Sequence, residues 1–165
     1  MESTRRPALR VAVWLLGLGV AIGGSAAPAH ADPPGNNGTV KIDDTPFDSH
    51  PDNEPHVGCS FEVDFYGFDE GDLSATVTFE AHPPTGNGGG LLQDTVFIGE
   101  DAAGGGTDLD AERQYDLSAA LEGYSEHPQQ GYHVKLTVNA EGSEGADTKH
   151  KVFWVQACPY GGGST

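Results

Sequence analysis

Basic side chains are scarce in this 165-residue chain, with 8 Lys and Arg against 25 Asp and Glu. Nucleic-acid binding rests on clusters of Lys and Arg, so that class of partner is excluded. The acidic excess also repels anionic membranes and wall polymers unless a divalent cation bridges them, and it keeps an exported protein soluble. Cysteine is scarcer still, at two residues, Cys59 and Cys158. No G-x-S-x-G elbow, H-E-x-x-H pair or phosphate-cradling glycine loop occurs, and the glycine runs fall between strand-like segments. These absences argue against an enzyme.

Residues 1–31 have the layout of a secretory signal peptide. Arg5, Arg6 and Arg10 precede an apolar run from Val11 to Ile22, and Ala29-His30-Ala31 places small residues where a signal peptidase reads them. A membrane-spanning helix needs about 20 apolar residues, more than this run supplies. Arg5-Arg6 resembles a twin-arginine signal, but Ala8 stands where such signals favour a large apolar residue, so the general secretory route is expected. No cysteine near the cleavage point offers a lipid anchor. The mature chain is then expected to start at Asp32, with 24 carboxylates against five basic residues and a formal charge of −19. Residues 32–37 form a polar lead-in with nothing to bury, residues 38–158 one domain, and residues 159–165 a flexible tail.

Alternation dominates that domain. Tyr132, Val134, Leu136 and Val138 share one parity, with His133, Lys135, Thr137 and Asn139 between them, the pattern of a half-buried strand. A glycine-rich polar turn leads into residues 149–158, so the pair reads as an antiparallel hairpin. Val57, Cys59, Phe61, Val63 and Phe65 alternate as one strand, which points Cys59 into the core. Further strands are expected at residues 39–43, 73–79, 91–98 and 111–117, with one helical turn near residues 118–122. Seven short strands separated by turns predict an all-β, immunoglobulin-like two-sheet sandwich. The last strand is ambiguous: Val152 and Trp154 share the parity of Cys158, whereas Phe153 and Val155 lie opposite, so either both faces are covered or a bulge shifts the register.

An exported chain with two cysteines most often joins them. Closing a loop of this order contributes about 4.7 kcal/mol in the chain-entropy view. That rivals the net stability of a small domain, about 5–15 kcal/mol. A structural disulfide between Cys59 and Cys158 is expected.

The sharpest candidate site is a cation loop. Asp43, Asp44, Asp48, Asp52, Asn53 and Glu54 crowd a proline-stiffened segment, and calcium takes oxygen ligands of this kind. His50 and His56 flank the same loop, and His133 and His150 face outward on the final hairpin, which offers nitrogen ligands to zinc or copper instead. Glu62 and Asp64 also share a strand face, as alternation alone would place them.

The segments N-N-G-T-V-K-I-D-D, E-P-H-V-G-C-S-F-E-V-D-F-Y-G-F, H-P-Q-Q-G-Y-H-V-K-L-T-V and G-A-D-T-K-H-K-V-F-W-V resemble small secreted β-sandwich proteins of actinobacteria (streptomycete-type) with no known function. The resemblance spans most of residues 36–158 and carries over no catalytic residue. Some of those proteins end in a sortase-type wall anchor, which implies display at the cell surface. Here the chain ends in Gly161-Gly162-Gly163-Ser164-Thr165 with no such sorting motif, so free secretion is expected. The function expected is a non-enzymatic extracellular or cell-surface binding or adhesion module, its partner an unknown extracellular protein or cell-wall component. An extracellular divalent-cation-binding protein is the alternative, and a small hydrolase the third.

Overall fold

A computed structural model of the protein describes residues 38–100, 107–141 and 148–156. The expected leader, lead-in, tail and Cys158 lie outside the described residues. Eight strands follow one another: β1 (Thr39–Asp43), β2 (His56–Val57), β3 (Ser60–Tyr66), β4 (Ser74–Ala81), β5 (Gly89–Phe97), β6 (Leu109–Asp116), β7 (Tyr132–Ala140) and β8 (Thr148–Val155). They form a three-stranded sheet in the order β1-β3-β6 and a five-stranded sheet in the order β2-β8-β7-β4-β5. Among the described residues there is no helix, and so none long and apolar enough to cross a membrane.

Alternation explains which faces meet. Phe61, Val63 and Phe65 of β3 are fully buried, as are Val77 and Phe79 of β4 and Val134 and Leu136 of β7. Rings from both sheets interlock. Phe61 meets Phe79 and Phe153 edge-on at centroid distances of 5.7 and 5.2 Å, and Tyr115 meets Phe79 at 4.8 Å. Phe61 and Tyr115 belong to the smaller sheet, Phe79 and Phe153 to the larger. The two sheets therefore pack face to face as a sandwich. Each such pair contributes about 0.5–1.5 kcal/mol beyond the area it buries.

The expected single strand over residues 57–66 is two strands in two sheets. Val57 lies opposite Val155 in a parallel pairing with β8, and its carbonyl accepts from Gln156 N–H at 2.8 Å. From Ser60 onward the partners are β1 and β6. At the crossing, Gly58 N–H donates to Asp44 Oδ1 at 2.8 Å, so a side chain replaces a ladder partner. Cys59 sits in this crossing, between the two strands, and is half-buried. A purely apolar-polar pattern cannot show such a break, because the chain changes sheets without changing parity.

The ambiguity in the last strand is also settled. Phe153 and Val155 face the core, and β7 pairs with β8 without a register shift. Val152 is 52% exposed, while Trp154 on the same outer face is half-buried beneath imidazoles. Residues 118–122 make hydrogen-bonded turns, with Leu121 N–H donating to Leu117 O at 2.9 Å, and no helix.

Gly131, which leads into β7, has φ of +88°, and a Cβ there would lie 2.2 Å from the Val155 carbonyl oxygen. Both features reject a side chain. Gly131→Ala is expected to lower unfolding free energy by about 2 kcal/mol or more, measured by urea denaturation.

Candidate functional site

The expected cation loop folds so that its acids serve its own backbone. Asp43 Oδ2 accepts from Asp48 N–H at 2.8 Å, Asp48 Oδ1 from His50 N–H at 2.7 Å, and Asp44 Oδ1 from Gly58 N–H. Glu54 Oε2 accepts from Asp44 N–H, and Glu54 N–H donates to Ile42 O at 2.9 Å. Asp48, His50, Asp52, Asn53 and His56 are exposed, and Asp44 and Glu54 are half-buried. Short acidic side chains cap turns in this way because proline-rich loops leave N–H groups without ladder partners. Of these residues only Asp43 joins a convergent set of possible metal ligands among the described residues.

That set is Asp43, Glu62 and Asp64, whose carboxylate oxygens lie within 4.8 Å of one another. The register builds it. Asp43 of β1 pairs with Glu62 of β3, and Asp64 stands two residues further along the same face. Because Phe61, Val63 and Phe65 turn inward, Glu62 and Asp64 must turn outward. They are nonetheless withdrawn from water: Asp43 and Glu62 are 5% exposed and Asp64 1%. On the flanking strands, Lys41 and Glu112 stand opposite Asp64, and Gln114 stands opposite Glu62. Gln114 Nε2 donates to Glu62 Oε2 at 3.2 Å, and Tyr66 hydroxyl donates to Asp64 Oδ2 at a long 3.4 Å. Asp64 Oδ1 is buried with no hydrogen-bond partner.

Three acids so close cannot all ionise cheaply. Burial first, then the charges of Glu62, Asp43 and Glu112, pushes Asp64 up to about 7 from the ordinary 3.8. Burial likewise raises Glu62, the Gln114 hydrogen bond opposing it. The Tyr66 phenol is raised by burial and then by Asp64, so it remains a donor.

A second feature lies along the free edge of the smaller sheet. A groove of about 630 Å³ runs beside β6 and reaches β5, lined by Glu62, Asp94, Glu112, Arg113, Gln114 and Asp116 among others. β5 and β6 are the outer strands of their sheets on this side. Arg113 Nε donates to Asp94 Oδ2 at 2.9 Å and Tyr115 hydroxyl to the same oxygen at 3.2 Å, tying one edge to the other. Desolvation works against Asp94 ionising, but the Thr95 N–H and Arg113 outweigh it and hold that carboxyl below its usual range. The Arg113 charge is therefore matched within the groove wall, and Glu62, Glu112 and Asp116 leave the groove acidic.

Among the described residues the histidines form no convergent set of three or more possible metal ligands. His133 stacks on Trp154 at 4.3 Å and 17°, and its Nδ1 meets Pro83 O at 2.6 Å. His127 lies against the same indole, His56 is hydrogen-bonded to Gln130, and His150 to Thr137. The rings of His127 and His133 thus cover Trp154, the outer-face residue of β8 that sequence parity left unexplained, while Val152 stays exposed. His50 lies apart in the loop.

Because Asp64 is raised in the folded state, folding takes up a proton there. The stability this supplies is complete below the unfolded value near 3.8 and is lost as pH rises through about 7. Metal-free protein is expected to melt at progressively lower temperature from about pH 4 to about pH 7 and to level off above that. Asp64→Asn, neutral throughout, is expected to flatten that decline, as followed by dichroism.

No known protein family, no curated protein and no solved structure matches the chain.

Proposed function

We propose that this is a secreted, non-enzymatic binding module built on an immunoglobulin-like sandwich, and that its groove beside β6 takes an extended basic segment of an extracellular protein. Support for the immunoglobulin-like assignment comes from the strand order. β1-β3-β6 facing β8-β7-β4-β5 follows the A-B-E and G-F-C-C′ arrangement of such domains, with β2 added in parallel to the last strand. The export reading rests on the leader-like residues 1–31. After their removal the protein acts outside the cell, free or at the wall.

The observation that carries the binding assignment is the free edge of β6 with its acids. An outer strand offers unpaired N–H and C=O groups to an incoming strand, and alternate side chains then supply selectivity. Glu112 and Asp116 project beside that edge, and the nearby Arg113 is already paired with Asp94. A chain with this charge draws cationic partners and repels anionic ones. The hydrolase alternative has less support, since the groove holds no nucleophile–base pair of the kind acyl transfer needs.

Fluorescence anisotropy with short extended peptides tests this. A Lys-rich peptide is expected to bind in low salt and weaken as salt rises, and a Glu-rich one to show no binding. Exposed charges contribute about 0.2–1 kcal/mol each, so Glu112→Gln with Asp116→Asn should weaken binding about three- to tenfold. Equal binding of both peptides, or an unaffected double variant, would overturn the assignment.

We also propose the Cys59–Cys158 disulfide. Gln156 N–H donates to Val57 O, and Cys158 follows Gln156 by two residues just as Cys59 follows Val57 by two. Thiol titration of the denatured, unreduced protein should find no free thiol. Reduction should cost about 4–5 kcal/mol of stability by denaturant titration.

A further inference from the structure

The outer face of the three-stranded sheet carries a group of acids that a folded protein does not bury without a counter-charge. Asp43, Glu62 and Asp64 are all at most 5% exposed. Neither ion pair between described residues, Arg113 with Asp94 or Lys135 with Glu80, touches them. Lys41 stands opposite Asp64 in register and Lys151 lies near Lys41, held below its ordinary range by burial and then by that neighbour. Glu112, on the other flank, adds further negative charge.

Asp64 Oδ1 supplies an observation independent of the acids' number. It is an ionisable oxygen within a side chain that is 1% exposed, and it has no hydrogen-bond partner. Leaving such an atom unpaired costs about 1–3 kcal/mol, and more for a charge. Something other than a protein donor must satisfy it, and the candidates are a proton or a cation.

We propose that Asp43, Glu62 and Asp64 bind a calcium ion across β1 and β3, with Asp64 Oδ1 as a direct ligand. The donors are all hard oxygens, which excludes softer metals as the preferred occupant. Carboxylate oxygens that all lie within 4.8 Å of one another can reach one cation whose ligands stand at about 2.3–2.6 Å. Magnesium demands a near-ideal octahedron at about 2.0–2.1 Å and gives up its waters reluctantly, so a dry, irregular set of carboxylates on neighbouring strands suits it less than calcium. Three carboxylates supply up to six oxygens, and solvent completes the shell. The site shares Asp43 with the acidic loop but otherwise draws on β3, so the loop acids Asp48 and Asp52 have no part in it.

The test is thermal melting of the protein after chelator treatment, with calcium, magnesium or neither, at about pH 7.5. Calcium in large excess is expected to raise the melting temperature by about 5 °C or more, and magnesium by less. Asp64→Asn should abolish the calcium response and, by removing a buried charge, melt no lower than the metal-free parent. Asp48→Asn with Asp52→Asn should keep the full response. Terbium provides a second readout, because Tyr66 beside Asp64 should sensitise its emission in the parent and not in Asp64→Asn. No calcium shift in the parent, or a response lost in the loop variant and kept in Asp64→Asn, overturns the proposal. In the first case the cluster holds a proton instead. These readouts do not involve peptide, so their failure leaves the groove assignment standing.

Discussion

The seating of Phe61 between the sheets is the constraint from which most of the molecule follows. Its ring touches Phe79 and Phe153 of the opposite sheet and lies 6.2 Å from Tyr115 beside it. A strand's side chains alternate strictly, so a slip of one residue would carry all of β3's apolar side chains to the wrong face. Holding Phe61 inward therefore holds Glu62 and Asp64 outward, against Asp43 on β1 and Glu112 and Gln114 on β6. The unfavourable electrostatics of that face are a consequence of favourable packing on the other. Losing the outward acids would cost the core little, whereas losing the register would cost the whole sandwich.

Much of this could be read from residue order alone, and the reason is that period two reports burial directly. The strands at residues 39–43, 132–138 and 73–79 were visible because Val40 and Ile42, Val134 and Leu136, and Val77 and Phe79 alternate with polar neighbours. Alternation is silent about partners, however. It cannot reveal that Val57 pairs with β8 while Phe61 pairs with β6, since the inward parity continues through Gly58 and Cys59. Trp154 misled for a related reason. An indole on an outer face looks like a core residue out of register until His127 and His133, distant in sequence, are found against it.

The candidate site shows the same limit more sharply. Local crowding drew attention to the acids between Asp43 and Glu54, but neighbours in a loop tend to cap one another's backbone, and these do. Glu62 and Asp64 were recognisable as a pair on one strand face, with nothing to distinguish them from any solvated pair. What distinguishes them is burial and the arrival of Asp43 from another strand, and both are tertiary facts. The signal that could have pointed there is the unusual density of acids on β1, β3 and β6 together, which becomes meaningful only once those strands are known to be neighbours.

Glu62 belongs to both features of this face, since it lies in the carboxylate cluster and also lines the groove beside β6. Gln114, which donates to it, also lines the groove. A cation among Asp43, Glu62 and Asp64 would cancel most of the charge at that end of the groove and so weaken its attraction for a basic segment. The reverse holds with equal strength, because coupling between two ligands is reciprocal. A Lys side chain brought near Glu62 would compete for the oxygen a cation needs. A cation held in the cluster would thus act as a brake on the groove beside it, and the two occupants are expected to exclude one another in proportion to how closely they approach Glu62.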